Sequence, residues 1–62
     1  MKVEVYLNGT KEPLVYKGDR IDVLDLNLNN INYKQIRCFN NGFSKSELIE
    51  AKLVKRVTEK AE

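Results

Sequence analysis

Few side chains in this 62-residue chain could do chemistry, and their spacing decides against most catalytic uses. There is no histidine, and Cys38 is the single cysteine. A Ser-His-Asp triad, a Cys-His pair, an internal disulfide and a zinc site of His and Cys ligands are therefore all excluded within one chain. Cys38 would become a nucleophile if Arg37 lowered its thiol pKa. Neighbouring strand residues point to opposite faces, however, and free cysteine is among the most buried residue types, so Cys38 reads as a core side chain. Asp19, Asp22 and Asp25 recur every third residue and carry the oxygens a hard cation takes. On a strand that spacing alternates faces, and it does not match an EF-hand loop, so these carboxylates read as solubilising charges with Asp19 shaping a turn. Gly9, Gly18 and Gly42 fall one to a turn and form no phosphate-cradling loop. The chain reads as non-enzymatic, with no cofactor, metal or small-molecule substrate expected.

What remains is a basic and aromatic surface. Tyr33, Lys34, Arg37 and Phe39 fall in one short segment, and Lys52, Arg56 and Lys60 in another. Aromatics that stack bases beside cations that meet phosphates are how small barrels hold single-stranded nucleic acid. Tyrosines also anchor protein contacts, which brings in Tyr6 and Tyr16. The candidate interaction surface is Tyr6, Tyr33, Lys34, Arg37, Lys52 and Arg56. The first expectation is a protein-interaction or regulatory module that meets a protein partner, or its own copy, through a strand edge and a tyrosine-bearing face. The alternative is a small nucleic-acid-binding barrel, since seven Lys and Arg face four Glu from Asn32 onward.

The elements that must position these residues belong to one small domain, expected over residues 1–57 with a frayed tail at 58–62. A chain of this size buries only about 60% of its unfolded surface. Such a core rarely supplies more than about 3–5 kcal/mol, and without a disulfide or a metal the remaining supports are regular packing and self-association. No apolar stretch resembles a signal-peptide core or a membrane span, so the chain reads as cytoplasmic with no membrane partner. Low proline with many Asn and Lys suggests an AT-rich reading frame of a bacterium, a phage or a mobile element.

Residues 2–7 alternate strictly, with Val3, Val5 and Leu7 on one side and Glu4 and Tyr6 on the other, the period of a half-buried strand. Asn8-Gly9 suits a tight hairpin turn into a second strand that ends at Tyr16, with Pro13 on its outer edge or in a longer loop. Residues 21–28 form the longest apolar-rich run. Ile21 and Val23 share one parity, Leu24, Leu26 and Leu28 the other, and a bulge between Val23 and Leu24 would bring all of them inside. Residues 33–39 read as a strand with Ile36 and Cys38 inward. Ser44-Lys45-Ser46-Glu47 matches a helix capping box, yet the apolar residues beyond it form no helical stripe. One helical turn at 45–48 and a last strand at 49–57 reconcile the two signals.

This order of strand, hairpin, long bent strand, strand, short helical turn and final strand resembles small SH3-like or Sm-like β-barrels. The ending from Phe43 through Ser44-Lys45-Ser46-Glu47 to Leu48-Ile49 and Val54 resembles that of short bacterial and phage barrel proteins. The resemblance implies an all-β fold, mostly antiparallel: a five-stranded SH3-like barrel or a strongly bent meander. The alternative is an α+β fold with a four-stranded antiparallel sheet and a C-terminal helix. No functional residue is carried over from it, because fold alone does not give function.

Overall fold

A computed structural model describes residues 1–61. The alternating apolar pattern folds into six strands: β1 (Lys2–Leu7), β2 (Leu14–Lys17), β3 (Arg20–Leu28), β4 (Ile31–Asn40), β5 (Phe43–Glu50) and β6 (Val54–Lys60). One turn of 3-10 helix, Ala51–Leu53, joins β5 to β6. Every pairing is antiparallel, in two three-stranded sheets ordered β2-β1-β6 and β3-β4-β5. The fold is thus all-β, as the alternation predicts, but the sheets do not close into a barrel. No helix among the described residues is long and apolar enough to cross a membrane.

The C-terminal helix of the α+β alternative is not formed, and the expected helical turn at 45–48 is strand. The capping-box residues sit in β5, where each pairs with β4, from Phe39 opposite Ser44 to Ile36 opposite Glu47. A cap satisfies one or two backbone groups locally, whereas the ladder satisfies a whole edge of β4 and brings Ile49 onto the core. The helical turn lies instead at Ala51–Leu53, where the chain crosses from one sheet to the other. β6 then runs to Lys60, with Thr58, Glu59 and Lys60 opposite Glu4, Val3 and Lys2, three residues past the expected end at Val57. The expected tail is shortened accordingly, and Glu62 lies outside the described residues.

Two of the turns set strand register directly. Asn29-Asn30 (φ 50° and 64°) and Asn41-Gly42 (φ 46° and 84°) place two consecutive left-handed residues between Leu28 and Ile31 and between Asn40 and Phe43. That is the hairpin turn whose twist matches its strands. Asn8-Gly9 does not close such a hairpin. Only Gly9 has positive φ, and residues 8–13 form a longer loop before β2. Asn8 is held elsewhere: its N–H donates to the Leu53 carbonyl at 2.9 Å and its Nδ2 to the Lys52 carbonyl at 3.2 Å.

Val3, Val5, Ile21 and Ile36 are buried, with Leu7, Tyr16, Val23, Cys38, Ile49, Val54 and Val57 packed around them. β6 reaches this core through a bulge. Tyr6 faces Arg56 and Leu7 faces Val54, which leaves Lys55 unmatched and turns both Val54 and Val57 inward. The bulge expected between Val23 and Leu24 is absent: β3 and β4 pair without a break from Arg20–Phe39 to Leu28–Ile31.

Candidate functional site

That unbroken register divides the β3–β4 hairpin into halves of opposite polarity. Near the core, Ile21–Cys38 and Val23–Ile36 are the inward pairs. Toward the Asn29-Asn30 turn the same inner face carries Asp25–Lys34 and Asn27–Asn32. Both pairs are polar and bonded to each other: Lys34 Nζ to Asp25 Oδ1 at 2.5 Å, and Asn27 Nδ2 to Asn32 Oδ1 at 2.8 Å. The apolar side chains of this half therefore lie outside. Leu24, Leu26, Leu28, Ile31 and Tyr33 share the outer face, joined from β5 by Leu48, which pairs with Gln35. Leu24, Leu28, Ile31 and Leu48 are each about two-fifths exposed. An antiparallel sheet ordinarily shows water its polar face; here half of it shows its apolar one.

At the opposite end of this outer face stand Arg20, Arg37 and Phe39. The two guanidinium carbons lie 5.1 and 5.4 Å from the Phe39 ring centre, within cation–π range. Arg20 also makes a 2.9 Å ion pair with Asp22, and that bond holds its guanidinium pKa above the ordinary value. Arg37 has no such carboxylate partner among the described residues. The face is thus apolar at its turn end and cationic at the other.

The six residues expected to form one surface fall in several places. Tyr33 and Arg37 share the outer face just described. Lys34, one residue along, projects to the inner side and is tied to Asp25. Tyr6 and Arg56 are cross-strand neighbours on the outer face of the other sheet, with Arg56 stacked 4.2 Å from the Tyr6 ring centre. Lys52 sits in the 3-10 turn beside Glu50, 3.8 Å away. A single basic and aromatic surface is not assembled.

Sequence reasoning missed Leu24, Leu26, Leu28, Ile31 and Leu48 as surface residues. The signal was the parity slip in β3, which becomes an exposed face when no bulge absorbs it. A second site it missed is a cleft of ≈ 390 Å³ between β2 and β5, lined by Val15, Tyr16, Cys38, Asn40, Phe43 and Glu47 among others. Tyr16 Oη donates to Glu47 Oε2 at 2.7 Å across it, and Asn40 Nδ2 donates to the Lys17 carbonyl at 3.3 Å. Burial, reinforced by that bond to a carboxylate, pushes the Tyr16 phenol well above the ordinary tyrosine value. Burial and the Glu47 charge also raise the Cys38 thiol, against the pull of Lys45. A raised thiol pKa is the reverse of what a nucleophile needs. Among the described residues no three His, Cys, Asp or Glu side chains group to hold a metal ion.

No family model, curated protein or solved structure matches the chain.

Proposed function

We propose that the protein is a non-enzymatic interaction module that docks a protein partner on the outer face of the β3-β4-β5 sheet. The observation that carries this is the inverted half of the β3–β4 hairpin, with its apolar pairs outward and its polar pairs inward. Water-facing leucines are ordinary singly, but a contiguous set on one sheet face is a contact surface. Each Å² removed from water there contributes about 25 cal/mol. The partner that fits is apolar opposite Leu24, Leu28 and Ile31, with a carboxylate reaching Arg37 at the far end.

The test is capture from an extract of the host cell on immobilised protein. Wild type and Lys55→Glu, which changes β6 of the other sheet, are expected to retain the same partner, while the double variant Leu24→Lys/Ile31→Lys loses it. Equal capture by all three, or capture by none, overturns the reading.

The nucleic-acid alternative draws less support from the same residues. Lys34, Lys52, Lys60 and Arg20 are already paired with carboxylates, and guanidinium groups stack on Tyr6 and Phe39, the rings a base would need.

A further inference from the structure

We propose that two copies of the chain pair antiparallel through the open edge of β5, centred on Ser46, to form one continuous six-stranded sheet. This concerns the edge of the sheet and is independent of the outer face to which the partner is assigned above.

The four sheet edges are unequal. β2 is only four residues long and follows Pro13, and β6 is interrupted by its bulge, both devices by which natural sheets blunt an edge. β3 is long and unbroken, but its charged residues Arg20, Asp22 and Asp25 are already held in ion pairs within the sheet. β5 has eight residues, no proline, no glycine and no bulge, and among the described residues no strand pairs with its outer side.

The turn fixes which backbone groups that edge offers. Residues flanking a two-residue hairpin loop exchange both hydrogen bonds, so Asn40 and Phe43 are a bonded pair, and bonded pairs then recur every second residue. Phe43, Lys45, Glu47 and Ile49 aim their N–H and C=O groups at β4. Ser44, Ser46, Leu48 and Glu50 aim theirs at the open side.

Only residue-centred registers match outward groups with outward groups, and charge selects among them. Centring on Lys45 or on Glu47 sets like charges opposite each other, which is destabilising. Centring on Ser44 or Leu48 shortens the overlap and leaves Lys45 or Glu47 facing an apolar side chain. Centring on Ser46 places Lys45 opposite Glu47 of the second copy, and by symmetry Glu47 opposite its Lys45. The same register sets Phe43, 78% exposed in the single chain, against Ile49 of the second copy. The two-fold contact is closed, so it yields a dimer and not a fibre.

Sedimentation equilibrium tests this on the intact chain. Wild type is expected to show a reversible monomer–dimer equilibrium. Lys45→Glu and Glu47→Lys each set like charges across the two-fold and are expected to weaken it by about tenfold or more. Mixed in equal amounts they restore opposite charges in every pair and recover association. Ser46→Pro removes an N–H that faces solvent, not β4, so the fold is retained by circular dichroism while the dimer is lost. A strict monomer at the highest soluble concentration overturns the proposal. So does a dimer indifferent to Ser46→Pro, or a charge mixture that fails to recover. Ser46→Pro and Lys45→Glu decide the matter even if Glu47→Lys, which breaks the Tyr16 bond, does not fold. Lys45 pairs with Cys38 and projects from the inner face, so in Lys45→Glu loss of the dimer and loss of partner capture are separate readouts.

Discussion

Tyr16 on β2 donates a 2.7 Å hydrogen bond to Glu47 on β5, the one bond between side chains that spans the two sheets among the described residues. It works beside a small core, four buried residues with seven partly buried ones around them, and beside the Asn40 bond to the Lys17 carbonyl, in fixing the relative position of the sheets. Tyr16→Phe is expected to cost about 1 kcal/mol, the net worth of an ordinary hydrogen bond, in urea unfolding at neutral pH. The phenol's raised pKa gives a second readout. Because the folded value exceeds the unfolded one, the contribution is complete below about pH 10 and is lost as pH climbs through the folded value. Alkaline absorbance titration should show a late phenolate component that is missing from Tyr16→Phe. An unchanged titration would mean the bond is not kept in solution.

Glu4 and Lys60 link β1 to β6 by a 3.1 Å ion pair, and the bond from Lys60 draws the Glu4 carboxyl below its ordinary value. A depressed folded pKa works in the opposite sense. Its stabilisation is present at neutral pH and is lost as pH falls through the folded value. Glu4→Gln is therefore expected to unfold at lower urea than wild type at pH 7, with the gap narrowing steadily on acidification. The Lys60 ammonium is exposed to salt, so the gap should also shrink as ionic strength rises. A gap that grows in acid would contradict the pairing.

The polarity inversion of the β3–β4 hairpin predicts a sharp contrast between neighbouring apolar residues. Ile36 is 1% exposed and Ile31 39%. Ile36→Ala is expected to cost about 2–5 kcal/mol, enough to unfold so small a domain. Ile31→Lys and Leu24→Lys should each stay within about 0.5 kcal/mol of wild type, as surface substitutions do. A bulge at Val23–Leu24 would reverse the result for Leu24, so thermal melts of the three variants decide the register.

The same hairpin shows how far the sequence could be read. Alternation alone located β1, the inward Ile36 and Cys38, and the strand character of the chain through Phe39, because a period of two is a property of local residues. The parity slip at Val23–Leu24 was also visible, but it was resolved by assuming that every leucine goes inside. Antiparallel sheets need bury only one face, and nothing local says which half of a long hairpin will overhang the core. Ser44–Glu47 failed differently: a local capping signal competed with a ladder on β4 that no short window contains. Tyr33 and Lys34 were grouped by their shared segment, but neighbouring strand residues alternate faces, and the register sends them to opposite sides of the sheet. The Tyr16–Glu47 tie was beyond reach, since its partners lie 31 residues apart on different sheets.

Gly18 joins the two sheets where the chain leaves β2. Its N–H donates to the Met1 carbonyl at 3.1 Å, and the next residue, Asp19, donates to the Phe39 carbonyl at 2.9 Å. A Cβ at this position would lie 3.1 Å from the Phe39 carbonyl oxygen and 3.4 Å from that of Arg20. Both are backbone atoms in a ladder and cannot swing away. Gly18→Ala is expected to destabilise by about 1–3 kcal/mol, the usual cost of overpacking, although alanine would normally gain by lowering the entropy of the unfolded chain. A neutral or stabilising result would show that this junction yields.

Protein and nucleic-acid partners make different demands on the cations, which gives the last prediction. Binding a single strand needs free aromatic faces and several phosphate contacts whose loss with salt is steep. Arg56 occupies the Tyr6 ring, Arg20 and Arg37 flank Phe39, and Lys34, Lys52 and Lys60 each have a carboxylate within 4 Å. Releasing any of them costs an existing contact before a phosphate or base gains one. Fluorescence anisotropy with labelled single-stranded and duplex oligonucleotides is therefore expected to show no saturable binding up to about 100 μM protein at about 50 mM salt, where phosphate contacts are strongest. Saturable binding that weakens with salt and disappears in Arg56→Ala or Arg37→Ala would transfer the function to nucleic acid. It would also mean that the guanidinium stacks are resting positions from which these side chains swing onto a strand.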